Sequence, residues 1–121
     1  MLNLNQIVII NPCLRILGNI THGTDEETQK VVDAGIIDVC HKLMGHNHKI
    51  IRMETCWILS NITAGNMKHA EAVVRNEAVL DKLMTLAVSD YPDVQRESVW
   101  AVCNATKNCS PEIVMHLLQN G

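Results

Sequence analysis

The chain has 121 residues, 47% of them hydrophobic, and a formal net charge of −3. That length suits one modest domain, and the apolar share excludes a chain disordered by composition. The charge excludes a sequence-independent grip on nucleic acid, and it suits a basic partner without being large enough to select one. No run of 18 apolar residues occurs, so no membrane span is expected. The opening "MLNLNQIVIINPCLR" has no positive residue before Arg15, and its apolar run from Ile7 to Ile10 is too short for a secretory signal. Cys13, Cys40, Cys56, Cys103 and Cys109 form no C-x-x-C pair. They read as free thiols in a reducing compartment, mostly as small core residues.

In chain order, residues 4–22 read as one helix. "TDEETQKVVDAG" then starts on a capping residue, Thr24, places acids in its first turn and stops at Gly35. "IIDVCHKLMGH" is a short helix closing near Gly45, and "HKIIRMETCWILSNITAG" a longer one closing at Gly65. After that the pattern returns. "LRILGNITHGTDEETQKVVDAG" aligns with "CWILSNITAGNMKHAEAVVRNE", which puts Asn19 on Asn61, Thr21 on Thr63 and Gly23 on Gly65. "VWAVCNATKN" brings Asn104 into the same register, so the spacing is 42 and then 43 residues. Pro92 or Asp93 starts the third copy of the long helix. Asn108 stands where the earlier copies have glycine, as the next best residue for a left-handed cap. Glu77 stands where the first copy has Gly35. Repeats of this length belong to helical arrays such as HEAT and armadillo proteins. The expected fold is all-α, with the third helix of a first unit at 4–22, full units at 24–65 and 66–108, and the first helix of a further unit at 110–120.

The long helices carry the functional signal. At about 100° per residue, offsets +1, −6, +5 and +2 from the Trp position fall on one arc. They are Ile16, Ile9, Ile20 and Leu17, then Ile58, Ile51, Ile62 and Leu59, then Ala101, Val94, Ala105 and Val102. All are apolar, so this arc is the expected core stripe. Offsets −3, 0 and +4 lie together on a different arc: Glu54, Trp57 and Asn61, then Glu97, Trp100 and Asn104. A tryptophan in a helix is ordinarily core, yet both tryptophans here share their arc with an acid and an amide. An aromatic beside polar groups, repeated in register, suits a binding surface.

Stacked units would align these ladders along one groove. An asparagine amide both donates and accepts, so it can hold the backbone of an extended peptide without reading its side chains. Indole faces form slots for lysine or arginine stems, with a cation–π attraction of about 0.5–2 kcal/mol. Glu54 and Glu97, one turn before each tryptophan, are placed to pair with the cationic heads. The ligand expected is an extended, unstructured, basic peptide. The first unit departs from the pattern, with Arg15 at the Trp position, Pro12 at the acid position and Asn19 retained. A cation there repels a basic side chain. It suits an acidic group on the ligand, or a protein acid such as Asp25 or Glu26.

"LGNITHGTDEETQKVVDAG", "ETCWILSNITAG" and "ESVWAVCN" resemble the C-terminal armadillo repeats of the importin α family, from about Pro12 to Gly121. The resemblance implies a right-handed α-solenoid of about three units, incomplete at both ends. It also implies the minor site for nuclear localisation signals, at work in cytoplasm and nucleus. Trp57 and Trp100 would flank basic side chains, Asn19, Asn61 and Asn104 would hold the peptide backbone, and Glu54 and Glu97 would take the basic heads. A lysine pocket would use carbonyls near Thr21 and Gly23 together with Thr28. Nothing in the chain matches the family's basic N-terminal segment, so recruitment of importin β is not expected. Apolar cut ends make self-association an expectation. A structural armadillo scaffold for a different partner is the alternative, and the Trp/Asn ladder is what distinguishes the two.

Other motifs carry less. The glycosylation pattern at Asn19, Asn61 and Asn104 recurs because the repeat recurs. Cys40, His41, His46 and His48 lack a zinc spacing, so no metal is expected. The run Asp25-Glu26-Glu27 reads as favourable charge at a helix start. No nucleophile–base pair or phosphate loop appears, so neither catalysis nor a cofactor is expected.

Overall fold

A computed structural model of the protein describes residues 4–109 together with Glu112 and Met115, with side chains from residue 10 onward. The further helix expected at 110–120 lies outside that range except at those two positions. Within residues 4–109 seven helices follow one another: α1 (Leu4–Thr21), α2 (Asp25–Asp33), α3 (Ile36–Leu43), α4 (Lys49–Thr63), α5 (Met67–Val74), α6 (Glu77–Ser89) and α7 (Pro92–Asn108). Among the described residues there is no strand, and no helix is long and apolar enough to cross a membrane.

Local chemistry sets the helix ends. Thr24 and Glu27 form a reciprocal capping box at the start of α2: the Glu27 amide donates to Thr24 Oγ1 and the Thr24 amide to Glu27 Oε1. Asn66 and Asn76 cap α5 and α6 by accepting from the His69 and Val79 amides. Pro92 opens α7, where a missing amide hydrogen costs nothing. Gly35 joins α2 to α3 at φ +93°, a conformation that residues with a Cβ adopt only with strain. Its counterpart link needs no such conformation, because Asn76 makes that turn at φ −83°. Asn108 is not a left-handed cap. It lies inside α7, and its Nδ2 donates to Thr63 O and Asn104 O.

The long helices α1, α4 and α7 stack side by side with α4 in the middle, and α3 packs on α6. Between these layers lies the core. Ile36, Ile37, Cys40 and Met44 meet Ile51, Ile58, Leu59 and Ile62, and the layer continues through Val79, Leu83, Val94 and Ala101. The core stripe holds in α4 and, apart from half-buried Val102, in α7. In α1 it does not, because Ile16 is 59% exposed. Among the described residues, no helix covers the flank of α1 opposite α4. Polar bonds also cross between the long helices: Thr63 Oγ1 donates to Ala101 O at 2.9 Å. Gln29 Oε1 and His69 Nε2, 2.8 Å apart, tie α2 to the next unit.

Cys40 is buried in the core, and burial pushes its thiol up to about 12. His46 and His48 sit in the exposed α3–α4 turn with rings 5.4 Å apart. Among the described residues, no group of three or more His, Cys, Asp or Glu side chains is arranged to hold a metal.

Candidate peptide-binding site

The stacking of α1, α4 and α7 brings their ladders onto one surface. Arg15, Asn19, Met53, Glu54, Trp57 and Glu97 line a single cavity of about 410 Å³. Five of these six are residues singled out by spacing. Asn61, Trp100 and Asn104 continue the ladder but do not line this cavity, and Thr28 is not part of it. Thr28 is buried, and its hydroxyl donates to Thr21 O at 3.2 Å. That bond uses the hydroxyl's one hydrogen and leaves its oxygen able to accept, as the implied lysine pocket requires.

The tryptophans differ in their seats. Trp57 is half-buried against Gly18 of α1, where a Cβ would stand 2.6 Å from Trp57 Cε3 and 2.7 Å from Cη2. Ser60 holds the position equivalent to Gly18 in the next unit, and Trp100 there is 57% exposed.

The asparagines are anchored as well as presented. Asn61 Nδ2 donates to Gly18 O at 2.9 Å, and Asn104 Nδ2 donates to Ser60 O at 3.1 Å. Each amide thus spends one N–H on the preceding long helix. Among the described residues its oxygen and second N–H have no partner, which leaves both a donor and an acceptor for a ligand backbone.

Glu54 departs most from expectation. It is only 3% exposed and pairs with Arg15, whose Nε donates to Glu54 Oε1 at 2.8 Å. It is neither exposed nor waiting for a ligand cation, and Arg15 is paired with neither Asp25 nor Glu26. The cause is the middle position of α4, which buries its flanks as well as its core face. An unpaired carboxylate there would be costly, and the arginine one helix back offsets it.

Glu97, on the outer helix α7, remains half-exposed and has no ion-pair partner among the described residues. Burial pushes its carboxyl above the ordinary glutamate range; Arg96 opposes the rise and Glu54 adds to it. A raised carboxyl makes the folded chain most stable when Glu97 is protonated, and that stability is lost as pH rises through the raised value. A ligand cation reverses the preference. Basic-peptide affinity is therefore expected to fall on acidification from a higher pH than an ordinary glutamate would give. Glu97→Gln should remove that pH dependence, weaken a basic peptide roughly two- to fivefold and leave the melting temperature equal or higher. Titrations of both proteins between neutral and mildly acidic pH check this. Identical pH profiles for the two would refute it.

Met53 was not singled out by spacing. Its offset of −4 from Trp57 places it about 40° from the indole on the side away from Glu54 and Asn61, just outside the ladder arc.

Comparison with known proteins fits this geometry. The Armadillo/beta-catenin-like repeat matches residues 24–64. Importin subunit alpha-2 of Oryza sativa subsp. japonica is 31% identical across 93% of this chain. Importin subunit alpha-1a of the same organism is 38% identical across 63%. The chain carries an armadillo repeat and is similar to importin α subunits. It spans 23% and 14% of the lengths of these two relatives. Among solved structures, a designed armadillo repeat protein in complex with the peptide (KR)4 superposes with a TM-score of 0.84 at 27% identity, covering 93% of this chain and 46% of that one. The armadillo match accords with the three-helix path of the full unit.

Proposed function

We propose that this armadillo array binds extended basic peptides of the nuclear-localisation-signal type along the groove of α1, α4 and α7, as an import adaptor working in cytoplasm and nucleus. The observation that carries the reading is the single cavity in which an indole, an acid and an asparagine from three successive long helices converge. Trp57 and Trp100 supply faces for lysine or arginine stems, and Glu97 supplies the charge. Asn61 and Asn104 hold the peptide backbone, and Asn19 extends that row. Glu54 acts indirectly, by fixing Arg15. The designed neighbour bound to alternating lysine and arginine supports the ligand class. Importin α relatives support the role in transport. A scaffold for a different partner remains the second reading, and it has no use for the ladder.

Trp100 is the cleaner probe, because it is exposed while Trp57 also packs on Gly18. Trp100→Ala should weaken a Lys-Arg peptide about fivefold, within the range of one cation–π contact, with helicity unchanged by circular dichroism. Unfolding of this variant would return Trp100 to a core role and sink the groove reading.

A further inference from the structure

The side of the cavity between α4 and α7 differs in kind from the side against α1. Successive helical residues turn by about 100°. Measured from Trp57, Glu54 and Asn61 lie to one side of α4, and both bond to α1, at Arg15 and at Gly18 O. Cys56 and Ser60 lie to the other side and meet α7. Cys56 Sγ stands 3.2 Å from Ser98 Oγ, and Ser60 O accepts from Asn104 Nδ2 at 3.1 Å. Met53, about 40° from Trp57, is on that second side, and it packs against the core. Glu97 holds on α7 the place that Glu54 holds on α4, so it points back toward α4 and reaches the same cavity. The seam thus brings three unlike groups together: the indole of Trp57, the thioether of Met53 and the carboxylate of Glu97. Among the described residues Glu97 has no ion-pair partner. Arg15 and Asn19, the other polar groups at this cavity besides Glu54, belong to α1 on the far side of the indole.

Resting on the peptide-binding reading above, we infer that this seam takes N-methylated lysine, with dimethyl-lysine as its best ligand. A bare lysine ammonium carries three N–H donors. The seam offers it one carboxylate, while an indole face and a sulfur cover the rest. N–H groups turned toward those two faces give up water and gain no strong acceptor. Dimethyl-lysine fits the three groups one to one. It keeps its charge and one N–H for Glu97, and it turns one methyl to Trp57 and one to Met53. The indole face attracts the cation, and methylated ammonium groups are the ligands that aromatic faces recognise best. The thioether is soft and polarizable, and it adapts to a methyl group. Trimethyl-lysine fills the same space but has no N–H left for the acid. Acetyl-lysine has lost the charge. Methylation of a lysine in the peptide would therefore tighten its hold on this groove, and acetylation would release it.

The test titrates the whole chain, by fluorescence anisotropy at low salt, against labelled peptides carrying a Lys-Arg or an Arg-Lys pair. In each the lysine is unmodified, dimethylated, trimethylated or acetylated. In one of the two orders dimethyl-lysine should bind about three- to tenfold tighter than unmodified lysine, as expected for two methyl groups partly withdrawn from water. Trimethyl-lysine should bind less tightly than dimethyl-lysine, and acetyl-lysine less tightly than unmodified lysine. Met53→Gln, which keeps the length of the side chain, should bring the dimethyl-to-unmodified ratio close to one. Should that variant lose helicity, nuclear magnetic resonance of the wild type with isotope-labelled dimethyl groups decides. Those methyl signals should move upfield in the ring current of the indole and show a nuclear Overhauser contact with the Met53 methyl. Binding of the unmodified peptides with no gain on dimethylation in either order, a gain that survives in a folded Met53→Gln variant, or methyl signals without the Met53 contact overturns this inference only. Failure of every peptide to bind overturns the peptide-binding reading and this inference with it.

Discussion

Asp90→Ala is expected to destabilise the fold by about 2–4 kcal/mol, through loss of a largely buried bidentate ion pair. Arg52 on α4 donates through Nε to Asp90 Oδ2 at 2.7 Å and through Nη2 to Asp90 Oδ1 at 2.9 Å. The same guanidinium donates through Nη1 to His46 O and Asn47 O. One side chain therefore ties the α3–α4 turn, the middle helix and the α6–α7 turn together. Removing the carboxylate leaves a guanidinium that is itself mostly buried. The hydrogen bond from Arg52 holds the Asp90 carboxyl below the ordinary aspartate range; burial opposes this, and the Tyr91 amide assists. A lowered carboxyl contributes stability above the ordinary carboxylate range, and that stability is lost as pH falls through the lowered value. Urea unfolding of wild type and variant should thus differ fully at neutral pH and converge in strong acid. A neutral-pH difference below about 0.5 kcal/mol, the level of a surface pair, would show that the clamp is ornamental.

Gly18→Ala is expected to weaken basic-peptide binding about tenfold without replacing a residue that contacts the ligand. A methyl at position 18 occupies the space of the Trp57 ring, which must swing away. That displaces the indole from between Arg15 and Glu97 and closes part of the cavity. Alanine in a helix interior is favoured over glycine by about 0.5–1 kcal/mol, and this offsets the lost ring packing. Stability should change little while affinity drops. The check pairs peptide titration with Trp57 fluorescence in a Trp100→Ala background. Unchanged affinity together with an unshifted emission maximum would mean that the indole seat does not shape the groove.

The fold was legible because the repeat writes the same signals more than once. The Asn19, Asn61 and Asn104 register fixed the period, and helix caps such as Thr24 and Pro92 marked boundaries within a residue or two. The ladder arc was legible because helical periodicity needs only the sequence. What escaped depends on how one helix lies against the next. The Arg15–Glu54 pair joins residues 39 positions apart. It follows from α4 being covered on both flanks, which the periodicity of a single helix does not reveal. The Arg52–Asp90 clamp was missed for the same reason, since it spans 38 positions and one partner lies in a turn. Asn108 was misread because an asparagine near a helix end can bond to carbonyls as well as adopt a left-handed turn. Ile16 was misplaced because an apolar position becomes core only if something packs on it.

The central claim is that the groove of α1, α4 and α7 binds a basic extended peptide. Its most direct test is an anisotropy titration of a labelled Lys-Arg peptide against this chain at two salt concentrations, with an alanine-substituted peptide as control. The account predicts saturable binding that requires the basic pair and weakens at the higher salt. A helical, monomeric protein that binds both peptides alike, or neither, would contradict it.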